Sequence, residues 1–175
     1  VVNFAAESHV DRSIAGLYPP GSTYKVVTTA TALQAGLGPQ TRLTAAPTIT
    51  LPESSATLSN DSGSTCPGSV GGTVSLTQAF EYSCNTAFAQ LMTEKMPGNP
   101  SEQFTATSML FGVGENAPGI PMDVAKSTVG DIGDDLAALG QSAIGQRDVR
   151  VTVLENAEIA ATVANGGVRM RPYLV

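Results

Sequence analysis

The sequence predicts a mainly helical fold with very few strands. After Ser22 the chain carries apolar residues at helical spacing as far as about Ala35. Two further segments, Ser-Leu-Thr-Gln at residues 75–78 and Thr-Val-Leu-Glu at residues 152–155, have the capping-box pattern that starts a helix. By contrast, only residues 48–51, Thr-Ile-Thr-Leu, alternate as a short strand would. Helical signals therefore dominate along the chain.

The first predicted helix runs from Ser22 to about Ala35, and Gly36 provides its C-terminal stop. Its expected core face is made of residues that recur at helical spacing, namely Val26, Val27, Ala30 and Leu33. Residues 38–73 are rich in Pro, Ser, Thr and Gly. We expect an irregular excursion there, apart from the short strand at residues 48–51.

A second helix is predicted from the capping box at residues 75–78 through Glu81 or Tyr82. After the triplet that follows, a third helix should run from Thr86 to about Met96. One face of this third helix is apolar, with Phe88, Leu91, Met92 and Met96 at helical spacing.

A fourth helix is predicted from residues 99–102, where Asn, Pro and Glu occupy favourable cap and first-turn positions, to about Phe111. Residues 112–133 hold many glycines and prolines and should form a loop. The last helix opens at residues 152–155 and ends at Asn-Gly-Gly, residues 165–167. Its alanines predict tight packing on several sides; they are Ala157, Ala160, Ala161 and Ala164.

The composition fits one domain and argues against a nucleic-acid partner. A chain of 175 residues can bury a proper core. Charged residues make up only 14%, so we expect other parts of a parent protein to cover some of the surface. The net charge of -6 and the lack of a Lys/Arg cluster disfavour phosphate binding. No apolar run approaches bilayer length, and no signal peptide begins the sequence.

The segment Tyr-Pro-Pro-Gly-Ser-Thr-Tyr-Lys at residues 18–25 is the strongest chemical signal. Ser22 and Lys25 lie three residues apart at a helix start, so they should meet on one face of the first turn. There the Lys25 amine can take the Ser22 proton and activate a nucleophile. The alternatives are a plain helix cap for Ser22 and a solvated surface position for Lys25. An unperturbed lysine titrates at about 10.4, so a basic Lys25 requires a lowered pKa.

A second triplet, Ser83-Cys84-Asn85, lies between two predicted helices. Ser-x-x-Lys followed by Ser-x-Asn resembles the active-site set of penicillin-binding proteins and serine β-lactamases. Residues 140–146, 151–157 and 164–167 also look like segments of the penicillin-binding transpeptidase domain. The lead-in at residues 18–23 is more similar to monofunctional (class B) members, and residues 80–88 are closest to the actinobacterial penicillin-binding protein A type.

The resemblance implies the helical lobe of the α/β transpeptidase fold and a D,D-transpeptidase activity. By resemblance, Ser22 is the acylated nucleophile and Lys25 its general base. Ser83 would relay a proton, and Asn85 would hydrogen-bond both Lys25 and the substrate backbone. The implied partners are peptidoglycan stem peptides, β-lactams and membrane proteins of a division or elongation complex. No cofactor is implied. The implied location is the outer face of a bacterial plasma membrane, with a single-span anchor in the parent protein; the 175 residues themselves would be soluble.

The third motif of the family, Lys-Thr-Gly or Lys-Ser-Gly, does not occur in the sequence. The three lysines are Lys25, Lys95 and Lys126, and none begins such a triplet. We therefore expect residues 1–175 to be the helical part of a transpeptidase domain, a fragment without its N-terminal anchor or pedestal and without the strand that carries this motif.

Cys66 and Cys84 are either two unrelated buried thiols or one disulfide that pins the preceding loop to the second motif. The extracytoplasmic location that the resemblance implies would permit a disulfide. A metal site is disfavoured because His9 is the only histidine. We expect His9, Glu155 and Glu158 to be ordinary surface or capping residues.

Two other functions remain open. A serine β-lactamase would use the same first two motifs, although no Glu-x-x-x-Asn segment follows Ser83 at a suitable distance. A non-catalytic penicillin-binding sensor or scaffold domain would tolerate the missing third motif. The intact residues Ser22, Lys25, Ser83 and Asn85 argue against such a loss of function.

Overall fold

A computed structural model describes residues 10–115 and 120–173 of the protein. The described residues are mainly helical, as predicted. The α-helices are α1 (Arg12–Ala15), α2 (Lys25–Gln34), α3 (Leu76–Glu81), α4 (Asn85–Gln90), α5 (Pro100–Phe111), α6 (Leu136–Ser142) and α7 (Val153–Ala164). His9 and part of the predicted loop at 112–133 lie outside the described residues.

Within residues 10–115 and 120–173, four short strands form two antiparallel pairs. The first pair joins β1 (Arg42–Thr44) to β4 (Thr73–Ser75), and the second joins β2 (Thr48–Thr50) to β3 (Thr57–Ser59). The sequence predicted only β2. Each strand has three residues, which is too short for a two-residue alternation to stand out from a Ser/Thr-rich loop.

Three helices begin where their caps predicted. Ser75 forms a full capping box with Gln78 at the start of α3. The Asn99 side chain accepts a hydrogen bond from the Glu102 N–H at the start of α5, and Thr152 does the same for Glu155 at α7. These bonds satisfy N–H groups that have no partner within the helix.

The predicted helix at 86–96 is present, but it changes from an α-helix to a π-helix along its length. It starts one residue earlier, at Asn85, and α4 continues into a π-helical turn at Leu91–Lys95. Its predicted apolar face is confirmed, since Phe88, Leu91 and Met92 are fully buried and Met96 is partly buried.

The predicted core face of α2 is only partly correct. Val27 is buried, but Leu33 is 47% exposed. Thr28 and Thr31 are buried instead. Their hydroxyl groups can be buried because they are hydrogen-bonded: Thr31 Oγ1 donates to the Val27 carbonyl at 2.9 Å, and Thr28 Oγ1 donates to the Ala143 carbonyl at 2.7 Å. The buried face of the helix is therefore rotated away from its apolar stripe.

The expected packing of α7 is wrong. All four of its alanines are exposed, and the buried residues are Glu158, Ile159 and Thr162. Among the described elements, α7 contacts α1 and α5. Small side chains allow close packing, but they do not require it, and the face of α7 that carries these alanines is exposed.

Glu155 and Glu158 are not ordinary surface residues either. Glu158 is 7% exposed, and Arg169 lies 3.6 Å from it and 2.8 Å from Glu115. Burial and the neighbouring Glu158 carboxylate raise the pKa of Glu155 to about 7. The two glutamates share the inner face of α7. Their spacing in the sequence predicts that they are neighbours, but it does not indicate that they are buried.

The described residues include no helix with the length and apolar character needed to cross a membrane.

Candidate active site

The segment with Ser22 and Lys25 forms a tight turn rather than the regular start of a helix. Residues Gly21–Tyr24 make a 3-10 turn that leads directly into α2 at Lys25. Ser22 lies on the surface, whereas Lys25 is only 2% exposed. Tyr24 anchors the turn from below, because its ring is fully buried and its hydroxyl lies 2.8 Å from Ser108 Oγ.

Residues 140–146 support this turn from the other side. The Gly21 N–H donates to the Gly145 carbonyl at 2.9 Å. Gly145 has a positive φ of 69°, and a Cβ atom at this position would lie 2.1 Å from the Gly21 carbonyl oxygen. Only glycine therefore allows the two backbones to approach this closely.

The Lys25 amine is the centre of the site. Its Nζ lies 3.0 Å from Ser22 Oγ, 2.9 Å from Ser83 Oγ and 2.7 Å from the Ser83 carbonyl oxygen. The shortest contact, 2.6 Å, is to Asn85 Oδ1. The structure thus brings together all four residues that the sequence analysis selected.

Burial controls the protonation of Lys25. The four oxygen atoms that surround its amine are uncharged, and the Phe88 ring centroid lies 5.5 Å from Nζ. Burial lowers the pKa of Lys25 to about 8. The lowered pKa that a lysine base requires is therefore present at this position.

The second motif occupies the turn between α3 and α4. Ser83 has a positive φ of 55°, and the Cys84 N–H donates to the Ala79 carbonyl at the end of α3. Cys84 forms a disulfide with Cys66, and their Cα atoms are 5.7 Å apart. The bridge ties the middle residue of the motif to the loop that follows β3.

Sequence reasoning missed Ser59, which orients Asn85. The Asn85 Nδ2 group donates to the Ser59 carbonyl oxygen at 3.0 Å, so its Oδ1 atom faces Lys25. Ser59 ends β3, a strand that the sequence did not predict. A backbone carbonyl has no residue-type signature, so only the strand itself could have revealed this contact.

A groove of about 530 Å³ lies between α1 and α7 and does not include the site around Lys25. Ile14, Leu154 and Met170 are among its lining residues. Of the four selected residues, Ser22 and Ser83 are exposed on an open face of the molecule, and Lys25 is buried beside them.

Comparison with known proteins gives consistent matches. A family model described as the penicillin binding protein transpeptidase domain matches residues 3–175. The chain is 53% identical to the peptidoglycan D,D-transpeptidase PbpA of Mycolicibacterium smegmatis over 166 residues, which are 95% of this chain and 32% of that protein. It is 52% identical to PbpA of Mycobacterium tuberculosis, covering 94% of this chain and 32% of the relative. The chain thus spans about a third of the length of these curated relatives.

Solved structures agree with the sequence relatives. The imipenem acyl-enzyme complex of penicillin-binding protein A from M. tuberculosis superimposes with a TM-score of 0.88 and 51% identity, covering 95% of this chain and 37% of that one. The penicillin G acyl-enzyme complex of the same protein has a TM-score of 0.87 and 52% identity, with the same coverage. A D,D-transpeptidase domain from Eggerthella lenta has a TM-score of 0.77 and 32% identity, covering 95% of this chain and 41% of that one.

Proposed function

Because this chain belongs to the penicillin-binding protein transpeptidase family, we propose that it carries the acylation site of a D,D-transpeptidase that cross-links peptidoglycan. The observation that carries this proposal is the position of the Lys25 amine, 3.0 Å from Ser22 Oγ and 2.9 Å from Ser83 Oγ. An amine in that place can exchange protons with both hydroxyl groups. The D,D-transpeptidases named among the relatives support the choice of reaction.

In the first step, neutral Lys25 accepts the Ser22 proton while Ser22 Oγ bonds to the carbonyl carbon of a D-Ala-D-Ala stem peptide. The negative charge passes to the former carbonyl oxygen, where the backbone N–H of Ser22 is one donor that can stabilise it. Collapse of this intermediate breaks the C–N bond. The proton on Lys25 then passes through the Ser83 hydroxyl to the departing D-Ala amine.

In the second step, an amine of a stem peptide on a neighbouring peptidoglycan strand attacks the ester on Ser22. This amine loses its proton to Lys25, the new peptide bond forms, and Ser22 regains its hydrogen. Asn85 holds Lys25 in place and hydrogen-bonds the amide backbone of the substrate. A β-lactam would acylate Ser22 in the same way; the acyl-enzyme complexes of the M. tuberculosis relative support this part of the proposal.

The same proposal extends to the rest of the protein. Residues 1–175 would form the helical part of the transpeptidase domain, and the Lys-Thr/Ser-Gly motif would lie elsewhere in a longer parent. That parent would act at the outer face of a bacterial plasma membrane, held by a single span and joined to division or elongation proteins. The disulfide between Cys66 and Cys84 supports an oxidising location.

Intact-protein mass spectrometry after incubation with penicillin G tests the acylation site. We expect one covalent adduct, located on Ser22 by peptide mapping, and no adduct in Ser22→Ala. The matched control is Ser13→Ala, which removes a hydroxyl group from α1, outside the site. An adduct on another residue, or none after prolonged incubation at high penicillin concentration, would contradict the proposal.

The same sample separates the two remaining alternatives. A β-lactamase would release the hydrolysed antibiotic with turnover, so nitrocefin would be consumed beyond one equivalent. A transpeptidase site would retain the acyl group of the antibiotic. Its parent protein would release one D-Ala when a stem peptide acylates Ser22, and would release more only when an acceptor amine or water resolves the ester. A sensor domain would form the adduct but would not release D-Ala.

A further inference from the structure

Asn60 is a buried polar residue with all its hydrogen-bonding groups paired. It is 8% exposed. Its Nδ2 group donates to the carbonyl oxygens of Ala46 at 3.1 Å and Ser64 at 2.9 Å. Its Oδ1 atom accepts from the Thr86 N–H at 3.0 Å and from Thr86 Oγ1 at 3.1 Å. Its side chain therefore connects the loop of residues 46–64 to the first turn of α4.

The residue before Asn60 makes the second connection. The Ser59 carbonyl oxygen accepts from Asn85 Nδ2 at 3.0 Å, one residue before the Asn60–Thr86 contact. Two consecutive residues at the end of β3 thus hold two consecutive residues at the start of α4. A shift of Asn60 relative to α4 would also shift the Ser59 carbonyl, which fixes the direction of the Asn85 amide.

We propose that Asn60 is a positioning residue for the acylation reaction: its side chain holds the Ser59 carbonyl against Asn85, so that Asn85 Oδ1 points at the Lys25 amine. This inference rests on the proposed function. Asn60 touches neither substrate nor the reacting atoms, and it acts through the Ser59–Asn85–Lys25 chain of contacts.

An asparagine side chain is well suited to this position. The carbonyl oxygens of Ala46 and Ser64 accept on one side, and the Thr86 N–H requires an acceptor on the other. An amide supplies both, whereas a carboxylate supplies only acceptors and an aliphatic side chain supplies neither. Replacing Asn60 therefore leaves the buried Thr86 N–H without its acceptor, and the segment that contains Asn60 is expected to move away from α4.

Lysine NMR gives a direct readout of this chain of contacts. The protein has three lysines, so 13Cε-labelled lysine gives three signals, and Lys25→Arg assigns the one of interest. A pH titration of the full chain then reports the midpoint of Lys25. The test variant is Asn60→Ala. Asn99→Ala is the matched control. Like Asn60, Asn99 accepts a hydrogen bond from a backbone N–H in the first turn of a helix, but that helix is α5 rather than α4.

We expect the midpoint of Lys25 in Asn60→Ala to fall by at least ~0.5 pH unit, because the ammonium form loses the Asn85 acceptor. Asn99→Ala should leave the midpoint unchanged although it also weakens a helix start. The rate of penicillin G acylation at pH 7 should fall about tenfold or more in Asn60→Ala, since orientation of the reacting groups is lost.

A second, milder pair of variants is used if Asn60→Ala fails to fold, which the lack of a cooperative unfolding transition would show. Thr86→Val removes the Oγ1 hydrogen bonds to Asn60 and Ala46, whereas Thr86→Ser keeps a hydroxyl group. We expect the same downward shift, smaller in size, in Thr86→Val and its rescue in Thr86→Ser. An unchanged Lys25 midpoint in every folded variant of this set would overturn the inference. Failure of wild-type Ser22 to form an adduct would instead refute the proposed function.

Discussion

Two opposing effects set the charge of the Lys25 amine. Four oxygen atoms within 3.0 Å stabilise the ammonium form, whereas burial favours the neutral amine. Burial prevails and lowers the pKa to about 8. At pH 7 about one molecule in ten then has a neutral amine, compared with about one in three thousand for an unperturbed lysine. The buried position thus raises the population of the neutral amine by roughly two to three orders of magnitude.

The first prediction concerns the pH dependence of acylation. Only the neutral amine accepts a proton, so the rate of Ser22 acylation by penicillin G should rise with pH and level off above the Lys25 midpoint at about 8. Lys25→Arg should lower the rate by at least ~100-fold across this range, because a guanidinium group does not deprotonate. Reactions that are quenched at successive times, at several pH values, and analysed by mass spectrometry measure both effects. An acylation rate that does not change between about pH 6 and 9, on either side of that midpoint, would exclude Lys25 as the base.

Burial also shifts the pKa of Glu155, but it raises this pKa whereas it lowers that of Lys25. Burial favours its neutral form, which is the protonated carboxyl group, and the carboxylate of Glu158 adds repulsion. Its pKa in the folded protein is about 7, compared with 4.5 ordinarily. The folded state therefore binds this proton more tightly than the unfolded state, so the native protein loses stability as the pH rises from 4.5 towards 7.

The second prediction is that Glu155→Gln stabilises the chain at high pH. Glutamine stays neutral, so the gain in free energy of unfolding should be about 1–3 kcal/mol at pH 8 and should shrink to near zero below the ordinary carboxyl pKa. Urea denaturation at both ends of this pH range measures the difference. The control is Glu81→Gln, which makes the same change at an exposed residue of α3. An equal gain at both pH values would mean that charge burial is not the cause.

Among the elements, the 3-10 turn at Gly21–Tyr24 depends most on one neighbouring backbone. The Gly145 carbonyl accepts from the Gly21 N–H, and no space exists for a side chain at position 145. The turn places Ser22 Oγ 3.0 Å from the Lys25 amine, so the contact between two glycines far apart in sequence sets the geometry of this pair.

The third prediction follows from that contact. Gly145→Ala should lower the free energy of unfolding by at least ~2 kcal/mol and slow Ser22 acylation, because the new Cβ atom pushes the turn away. Gly166→Ala is the matched control: its φ of 66° is close to the 69° of Gly145, but nothing lies within 4 Å of the place that a Cβ atom would occupy there. Thermal denaturation and adduct formation should show a small loss for Gly166→Ala and a large one for Gly145→Ala. Equal losses would indicate that backbone strain alone is responsible.

Local signals predicted the helices well and the rest poorly. The caps at Ser75, Asn99 and Thr152 act within one turn of chain, so the sequence around them contains the whole interaction. The helix α6 was not predicted, although Asp135 caps it through the Ala138 N–H. A glycine in its short length hides the pattern. The exposed alanines of α7 could not be predicted because exposure depends on which elements pack beside the helix.

The site residues were predicted more completely than the elements around them. Ser22, Lys25, Ser83 and Asn85 belong to two motifs with fixed internal spacing, so a pattern in the sequence could reveal them. The residues that orient them act through backbone groups or through tertiary contacts. Ser59 contributes a carbonyl and Gly145 contributes the absence of a side chain, and neither has a motif of its own.

At the scale of the whole molecule, the site is assembled from distant parts of the chain. Ser22 comes from the 3-10 turn and Lys25 from the first position of α2. The Ser83–Asn85 triplet comes from the junction of α3 and α4, and its support comes from the end of β3. The assembly brings together the residues that we propose as nucleophile, base and proton relay, namely Ser22, Lys25 and Ser83. It does not supply the Lys-Thr-Gly or Lys-Ser-Gly motif, which occurs nowhere among the 175 residues.

The fourth prediction is that the 175-residue chain reacts slowly. A tetrahedral intermediate on Ser22 normally needs two backbone donors for its oxyanion. The Ser22 N–H is one, and by resemblance to the family the other belongs to the strand that carries the Lys-Thr/Ser-Gly motif. The loss of one such donor costs about 100- to 1000-fold in rate. We therefore expect fluorescent penicillin to label this chain at Ser22 at least ~100-fold more slowly than it labels a full-length relative such as the M. smegmatis D,D-transpeptidase. The Ser22→Ala variant fixes the background of that assay. Labelling at the rate of the full-length relative would show that these 175 residues already contain every group that acylation requires.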